Sequence, residues 1–327
     1  MKATRRAIHR RSIAILCAAV LAGTAVSGCA KKKEEGNPLG LLVLLNCLGS
    51  CGSTTVNNEF TNPQKVVING YSGHAMEPFI TRNTAGTIYL FFNSLNDGQD
   101  TSLHYAERVT DTTFTYKGKI GNVNGTPPHL DAVASMDTGD KFYYISTRDW
   151  PADYHNVMTG TFSGGTVSTP VHLDGDFYIE STGWIIMDGE VSPGGDDFYF
   201  VNAHFSGGSI PDRSDIGIAH KTGSAFYKVT NSDAIMASVN TSRCLEYAPS
   251  IGDNGLELFF TRLQLCPLNV EILMARRASS AEPFGAPQRI GAISGFVEAP
   301  SLTADGKRLY YHMKENDVYV IYTVSRP

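Results

Sequence analysis

The chain has 327 residues, of which 42% are hydrophobic, 10% aromatic and 18% charged, with 32 Gly and 15 Pro. Sparse charge and abundant glycine describe a turn-rich β protein; they argue against a coiled coil, which needs sustained heptads, and against a disordered chain, which cannot carry so many aromatics. A net charge of −5, with no basic cluster after Lys33, argues against nucleic acid as a partner.

Residues 1–11 hold Lys2, Arg5, Arg6, Arg10 and Arg11 without an acid, and an apolar run from Ile13 to Val26 follows. The run is shorter than the ~20 residues of a comfortable membrane span and reads as the core of a secretory signal. Its end, Val26-Ser27-Gly28-Cys29, resembles a bacterial lipobox. That resemblance implies a signal peptide over 1–28, lipidation of Cys29 and a membrane anchor. Ala30, standing where an Asp would retain the protein at the inner membrane, implies the outer membrane of the cell envelope. Residues 29–60 read as a tether. They carry a solvated charge run at Lys31–Glu35, an apolar Leu41–Leu45 too short to span a bilayer, and Cys47 and Cys51 in a Gly/Ser/Thr stretch. An exported chain meets an oxidising compartment, where disulfides persist.

Residues 61–327 read as one unit repeated five times. Each copy starts with an acid and a short apolar strand, then a turn, an aromatic strand, a polar loop and a third strand. The acids are Glu77, Asp131, Glu190, Glu246 and Glu298, at steps of 54, 59, 56 and 52 residues. Such periods belong to four-stranded propeller blades. Second strands such as Thr87–Phe92, Lys141–Ile145 and Asp197–Val201 are rich in aromatic and β-branched residues, which suit a pleated surface. No amphipathic helix of useful length interrupts them. The fold expected is all-β, a five-bladed β-propeller. Asn62–Ile68 resembles Ala286–Ile290, the outer strand of the fourth unit, yet the fifth unit ends after three strands. Residues 63–69 are therefore expected to supply the missing outer strand of the last blade and close the ring.

Two family resemblances attach to this repeat. Glu298-Ala299-Pro300-Ser301-Leu302-Thr303-Ala304-Asp305-Gly306-Lys307 and the aromatic strand after it resemble the WD40-like (PD40) repeat of TolB-type propellers; Glu246–Gly255 is a looser copy. This implies a propeller in the envelope that binds or scaffolds an envelope protein or a carbohydrate. Glu77, Asp131 and Glu190, at the starts of units one to three, resemble the carboxylates of five-bladed arabinanase- and fructosidase-type glycosidases. That resemblance implies Glu77 as general base, Asp131 as an orienting and pKa-tuning group, and Glu190 as general acid. Two carboxyls flanking the bond are the minimum for glycoside hydrolysis. The recurrence of the acid at Glu246 and Glu298 favours a structural or binding use, or a cation such as Ca2+ held by several carboxylates on the channel axis. A binding module is the leading expectation and glycoside hydrolysis the alternative.

The loop after each second strand should return to the acid-bearing face. The binding rim expected there comprises Arg148, Trp150, His204, Arg213 and Arg262, with Glu246 and Glu298 behind. Trp150 either offers a face to a sugar or a partner, or covers its own loop. His74 and His129 fall close to Glu77 and Asp131, but no His or Cys spacing fits a metal site. Asp97-Gly98, Asp188-Gly189 and Asp305-Gly306 read as turns. Cys244 and Cys266 flank the hairpin of the fourth unit, so a disulfide between them is expected.

Overall fold

The computed structural model describes residues 51–53, 55–81 and 86–327. The signal, Cys29, the Leu41–Leu45 run and Cys47 lie outside these residues. A strap comes first, with β1 (Val56–Asn57), β2 (Thr61–Lys65) and β3 (Val67–Asn69). Blade 1 holds β4 (Met76–Ile80), β5 (Tyr89–Asn93), β7 (Leu103–Thr110) and β8 (Thr113–Lys119), while β6 (Asp100–Thr101) reaches across to blade 2. Blade 2 holds β9 (His129–Met136), β10 (Lys141–Ser146), β11 (Val157–Ser163), β12 (Thr166–Val167) and β13 (Val171–His172). Blade 3 holds β14 (Trp184–Val191), β15 (Asp197–His204), β16 (Arg213–Thr222) and β17 (Ala225–Lys228). A single helical turn, Ser232–Ile235, precedes blade 4: β18 (Leu245–Ile251), β19 (Glu257–Leu265), β20 (Leu268–Arg276) and β21 (Gln288–Ile290). Blade 5 holds β22 (Val297–Leu302), β23 (Arg308–Glu315) and β24 (Val318–Ser325). These are five separate sheets, as a five-bladed propeller requires.

Blades stack face to face, so their strands are covered on both sides. That is why β18 and β22 are buried along their whole length, and why apolar residues run on rather than alternate. Rings of the second strands meet across the blade interfaces: Phe91 packs edge-on against Phe142 at 5.2 Å, and Tyr143 lies 6.0 Å from Phe198.

The strap closes the ring where the sequence places it. β2 pairs antiparallel with β24, from Thr61↔Ser325 to Lys65↔Tyr322. The chain then crosses the seam, and β3 pairs parallel with β8 of blade 1, Val67↔Thr113. Residues 51–53 and 55–60 of the expected tether also belong to the packed structure. β1 adds to the edge of blade 4 beside β21, and Phe60 is buried against Phe259 at 5.7 Å. Next to it Glu59 takes two hydrogen bonds from Arg276 and one, at 3.2 Å, from Arg326. Glu257 joins the same two arginines. Four charges from the strap, blade 4 and the chain's end thus share one network.

The expected Cys244–Cys266 disulfide is not formed. Cys244 is bonded to Cys51, with Cα atoms 6.2 Å apart. Leu245 pairs with Leu263, and β19 runs on to Leu265 before a tight turn into β20. Cys266 therefore stands at a hairpin tip beyond the end of β18, and Gln264 faces the Cys244 level instead. Gln264 also accepts the Cys51 N–H at 3.3 Å. Cys266 is disulfide-bonded too, though not to Cys244. The Cys51–Cys244 link spans 193 residues, a separation for which chain entropy contributes about 5 kcal/mol.

The Glu59 carboxyl is held down to about 2, chiefly by its hydrogen bond from Arg276 and against some burial. A depressed carboxylate stabilises the fold above its ordinary pKa and loses that contribution as pH falls toward the folded value. Acid titration followed by circular dichroism should therefore show the strap weakening between about pH 4.5 and 2. Glu59→Gln should remove that part of the pH dependence and lower the melting temperature at neutral pH.

Candidate functional site

All five inner strands carry a β-bulge near the axis. In four of them one residue takes a left-handed backbone: Glu77 (φ 50°), Val133 (56°), Ala248 (49°) and Ala299 (55°). These φ values are costly for residues with a Cβ, most of all for branched Val133. Blade 3 places Asp188 at the corresponding position. Superposing the blades on this bulge puts Pro78, Ala134, Gly189, Pro249 and Pro300 next, and then Phe79, Ser135, Glu190, Ser250 and Ser301.

That last position ties blade to blade. Ser135 Oγ accepts the Val191 N–H at 3.2 Å, Glu190 Oε1 accepts that of Ile251 at 2.9 Å, Ser250 Oγ that of Leu302 at 3.1 Å, and Ser301 Oγ that of Ile80 at 3.0 Å. Ser250 also donates its own proton to Glu190. The bond therefore crosses four of the five interfaces; at the fifth, Phe79 has no acceptor to offer.

The five acids of the repeat consequently do not share one role. Asp131 and Glu246 lie two residues before the bulge and are fully buried. Asp131 meets Arg148 Nη2 at 3.0 Å and His129 Nε2 at 2.9 Å, and accepts the Gly125 N–H at 2.8 Å. Glu246 pairs with buried Arg262 at 2.7 Å and holds the Thr241 N–H and hydroxyl. Burial pushes the Glu246 carboxyl up to about 7 even with the Arg262 guanidinium pulling it down. Glu298 lies one residue before the bulge. It accepts the Tyr247 hydroxyl and faces His312 Nε2 at 3.2 Å. His312 takes the Glu77 N–H on Nδ1 at 3.0 Å, so its neutral ring carries the proton on Nε2. Glu190 is the interblade acceptor just described. Glu77 alone among the five sits on the bulge, where Asn96 Nδ2 donates to its Oε1 at 2.8 Å.

Glu77 and Asp188 thus occupy the same ring position on blades 1 and 3. Both line a cavity of about 30 Å³ at the axis with Pro78, Val133, Ala248 and Ala299, room for roughly one water molecule. Asp188, expected to lie in a turn with Gly189, is inside β14. Gly189 is needed there, because a Cβ would come within 2.4 Å of the Phe198 ring. Burial pushes the Asp188 carboxyl up to about 7; the Ala248 N–H opposes this and the Glu298 charge adds to it. Among the described residues no group of three or more His, Cys, Asp or Glu is placed to hold a metal ion.

The rim is narrower than expected. Glu246, Glu298 and Arg262 are buried, because β19 extends through Arg262 and the expected loop is mostly hairpin. Trp150 is half-buried on the blade 2–3 core, with its indole N–H donated to the Trp184 carbonyl at 2.9 Å. Arg148 bends back to Asp131. His204 and Arg213 do reach the acid-bearing face, on either side of Trp184: the His204 ring lies 5.1 Å from it and the Arg213 guanidinium 5.8 Å. Trp184, Asn96 and His312 are not singled out by the sequence, and Asp188 is read there only as a turn residue. The signal for Asp188 was present, since aligning on Pro78, Pro249 and Pro300 rather than on the acids would have found it.

No family model and no curated protein matches this chain. Among solved structures, a family 117 glycoside hydrolase of the marine bacterium Zobellia galactanivorans is similar at 10% identity, over 82% of this chain and 91% of that one, with TM-score 0.52. An endo-arabinase of Bacteroides thetaiotaomicron is similar at 13% identity, over 81% and 98%, with TM-score 0.51. The catalytic domain of a GH62 α-L-arabinofuranosidase of Coprinopsis cinerea is similar at 11% identity, over 83% and 97%, with TM-score 0.50. The shared feature at these identities is the five-bladed fold.

The interblade role of Glu190 has a measurable signature. Glu190→Gln keeps an acceptor for the Ile251 N–H and should change stability little. Glu190→Ala leaves buried donors unsatisfied and should cost about 1–3 kcal/mol in urea unfolding.

Proposed function

We propose that this protein is a glycan-active propeller of the glycoside hydrolase kind, with Glu77 and Asp188 as its carboxyl pair. The observation that carries the reading is their common position on blades 1 and 3, lining one cavity at the axis of a fold shared with the hydrolases above. Asp188, held near neutrality by burial, is the proton donor to the leaving oxygen. Glu77, oriented by Asn96, is the base that activates water on the other side of the bond. Asp131, clamped by Arg148, holds the blade 2 loop. A carboxyl with a raised pKa is suited to the acid of such a pair.

Glycan binding without turnover is the second reading. It is favoured by the near-complete burial of the carboxylates and by the size of the axial cavity. Under it the His204–Trp184–Arg213 surface is the contact.

A panel of arabinan, fructan and xylan oligosaccharides separates the two. For a hydrolase, Asp188→Asn and Glu77→Gln should each lower turnover by about 10²–10⁴-fold, and wild-type rates should fall as pH rises through about 7, where Asp188 loses its proton. Oligosaccharides that bind but stay intact, with unchanged affinity in both variants, would overturn hydrolysis in favour of binding.

We further propose that Cys29 carries a lipid that anchors the protein in the envelope. Cys29→Ser should release the protein from the membrane fraction on washing; a variant that stays bound refutes that anchor.

A further inference from the structure

A pocket lies away from the five acids of the repeat, at the seam between blades 5 and 1 on the opposite face. Its volume is about 420 Å³, within the range of small-molecule sites. The ends of β4 and β7, the β22–β23 turn and the start of β23 form its walls. Ile80, Ile88 and Tyr310 supply apolar surface, and Arg108, Lys307 and Arg308 supply charge.

The charges do not cancel. Asp111 serves two cations at once: Arg108 on Oδ1 and Arg308 Nη2 on Oδ2 at 3.0 Å. Asp305, the other carboxylate of the walls, is occupied by the Thr303 hydroxyl and the Lys307 backbone N–H. Among the described residues the Lys307 ammonium has no ion pair, and Arg308 Nη1 is a buried donor without an acceptor. Arg326 at the edge is already answered by Glu257 and Glu59. Three cations thus face two carboxylates, with one guanidinium N–H pair unspent and the Lys307 ammonium answered only at a distance by Asp305. Tyr310 donates its hydroxyl to the Asp111 carbonyl at 2.7 Å, which fixes the turn that presents Asp111.

We propose that this seam pocket binds a small organic anion through a carboxylate or phosphate group. The oxyanion sits between Arg308 and Lys307, and the body of the ligand lies on Ile80, Ile88 and the Tyr310 ring. The unpaired Nη1 of Arg308 offers either oxyanion a charge-assisted hydrogen bond, and the lysine adds a point charge. The site is independent of Glu77 and Asp188, so it stands or falls apart from glycoside hydrolysis.

Calorimetric titration of the full mature chain at low salt tests it, with inorganic phosphate in one arm and glucuronate in the other. Saturable one-to-one binding in either arm is the expected result, and the tighter arm identifies the ligand class. Lys307→Ala, a side chain outside every ion pair described, should weaken binding about fivefold, and Arg308→Lys about tenfold, because an ammonium cannot both hold Asp111 and present the Nη1 donor. Melting curves check that both variants fold. Heat in neither arm, or affinity unchanged in both folded variants, would overturn the proposal.

Discussion

The structure depends on how five inner strands converge on one axis without leaving their backbones unpaired. Each strand bulges there, and in four of them a residue turns left-handed at real energetic cost. The inner strands β14, β18, β22 and β4 are each the edge of a sheet, and past the bulge an outward-facing N–H of Val191, Ile251, Leu302 or Ile80 is accepted by Ser135, Glu190, Ser250 or Ser301 of the neighbouring blade. Each bond is modest alone. Together they tie one blade to the next and leave a cavity of about 30 Å³ at the centre.

The chemistry at the axis follows from that constraint. A carboxylate two residues before the bulge is drawn into the blade and must be paired, as Asp131 and Glu246 are. One placed two residues after it becomes a link, as Glu190 is. Glu77 and Asp188, on the bulge itself, line the axial cavity; Glu190 lines it too, but its carboxylate is taken up by the link to Ile251 and Ser250. The separation of structural from chemically available acids is a matter of register, not of residue type.

This is also why the fold was legible in the sequence and the site only partly so. Aromatic second strands such as Lys141–Ile145 and the five periods need no exact register, because a strand covered on both faces tolerates a slip. The closing strand was legible because the fifth unit lacks a partner for its edge. The roles of the acids require knowing the bulge, and a shift of one residue sends a side chain to the other face. Glu190, expected as a general acid, is an interblade link because it lies two residues beyond the bulge position. Cys266 was misplaced by the length of one hairpin. Glu59 has no sequence signature at all, since Arg276 and Arg326 are brought to it only by ring closure.

The Cys51–Cys244 bond also decides how the domain carries mechanical load. Tension reaching Cys51 passes to the head of β18 through the covalent link to Cys244. The hydrogen bonds of β1, β2 and β3 lie downstream of that link and are shielded from the pull. With the bond reduced, the same force would peel the strap from blade 4 first, then from the seam between blades 5 and 1. The strap is built to be zipped shut, and the disulfide keeps it from being the first part to unzip.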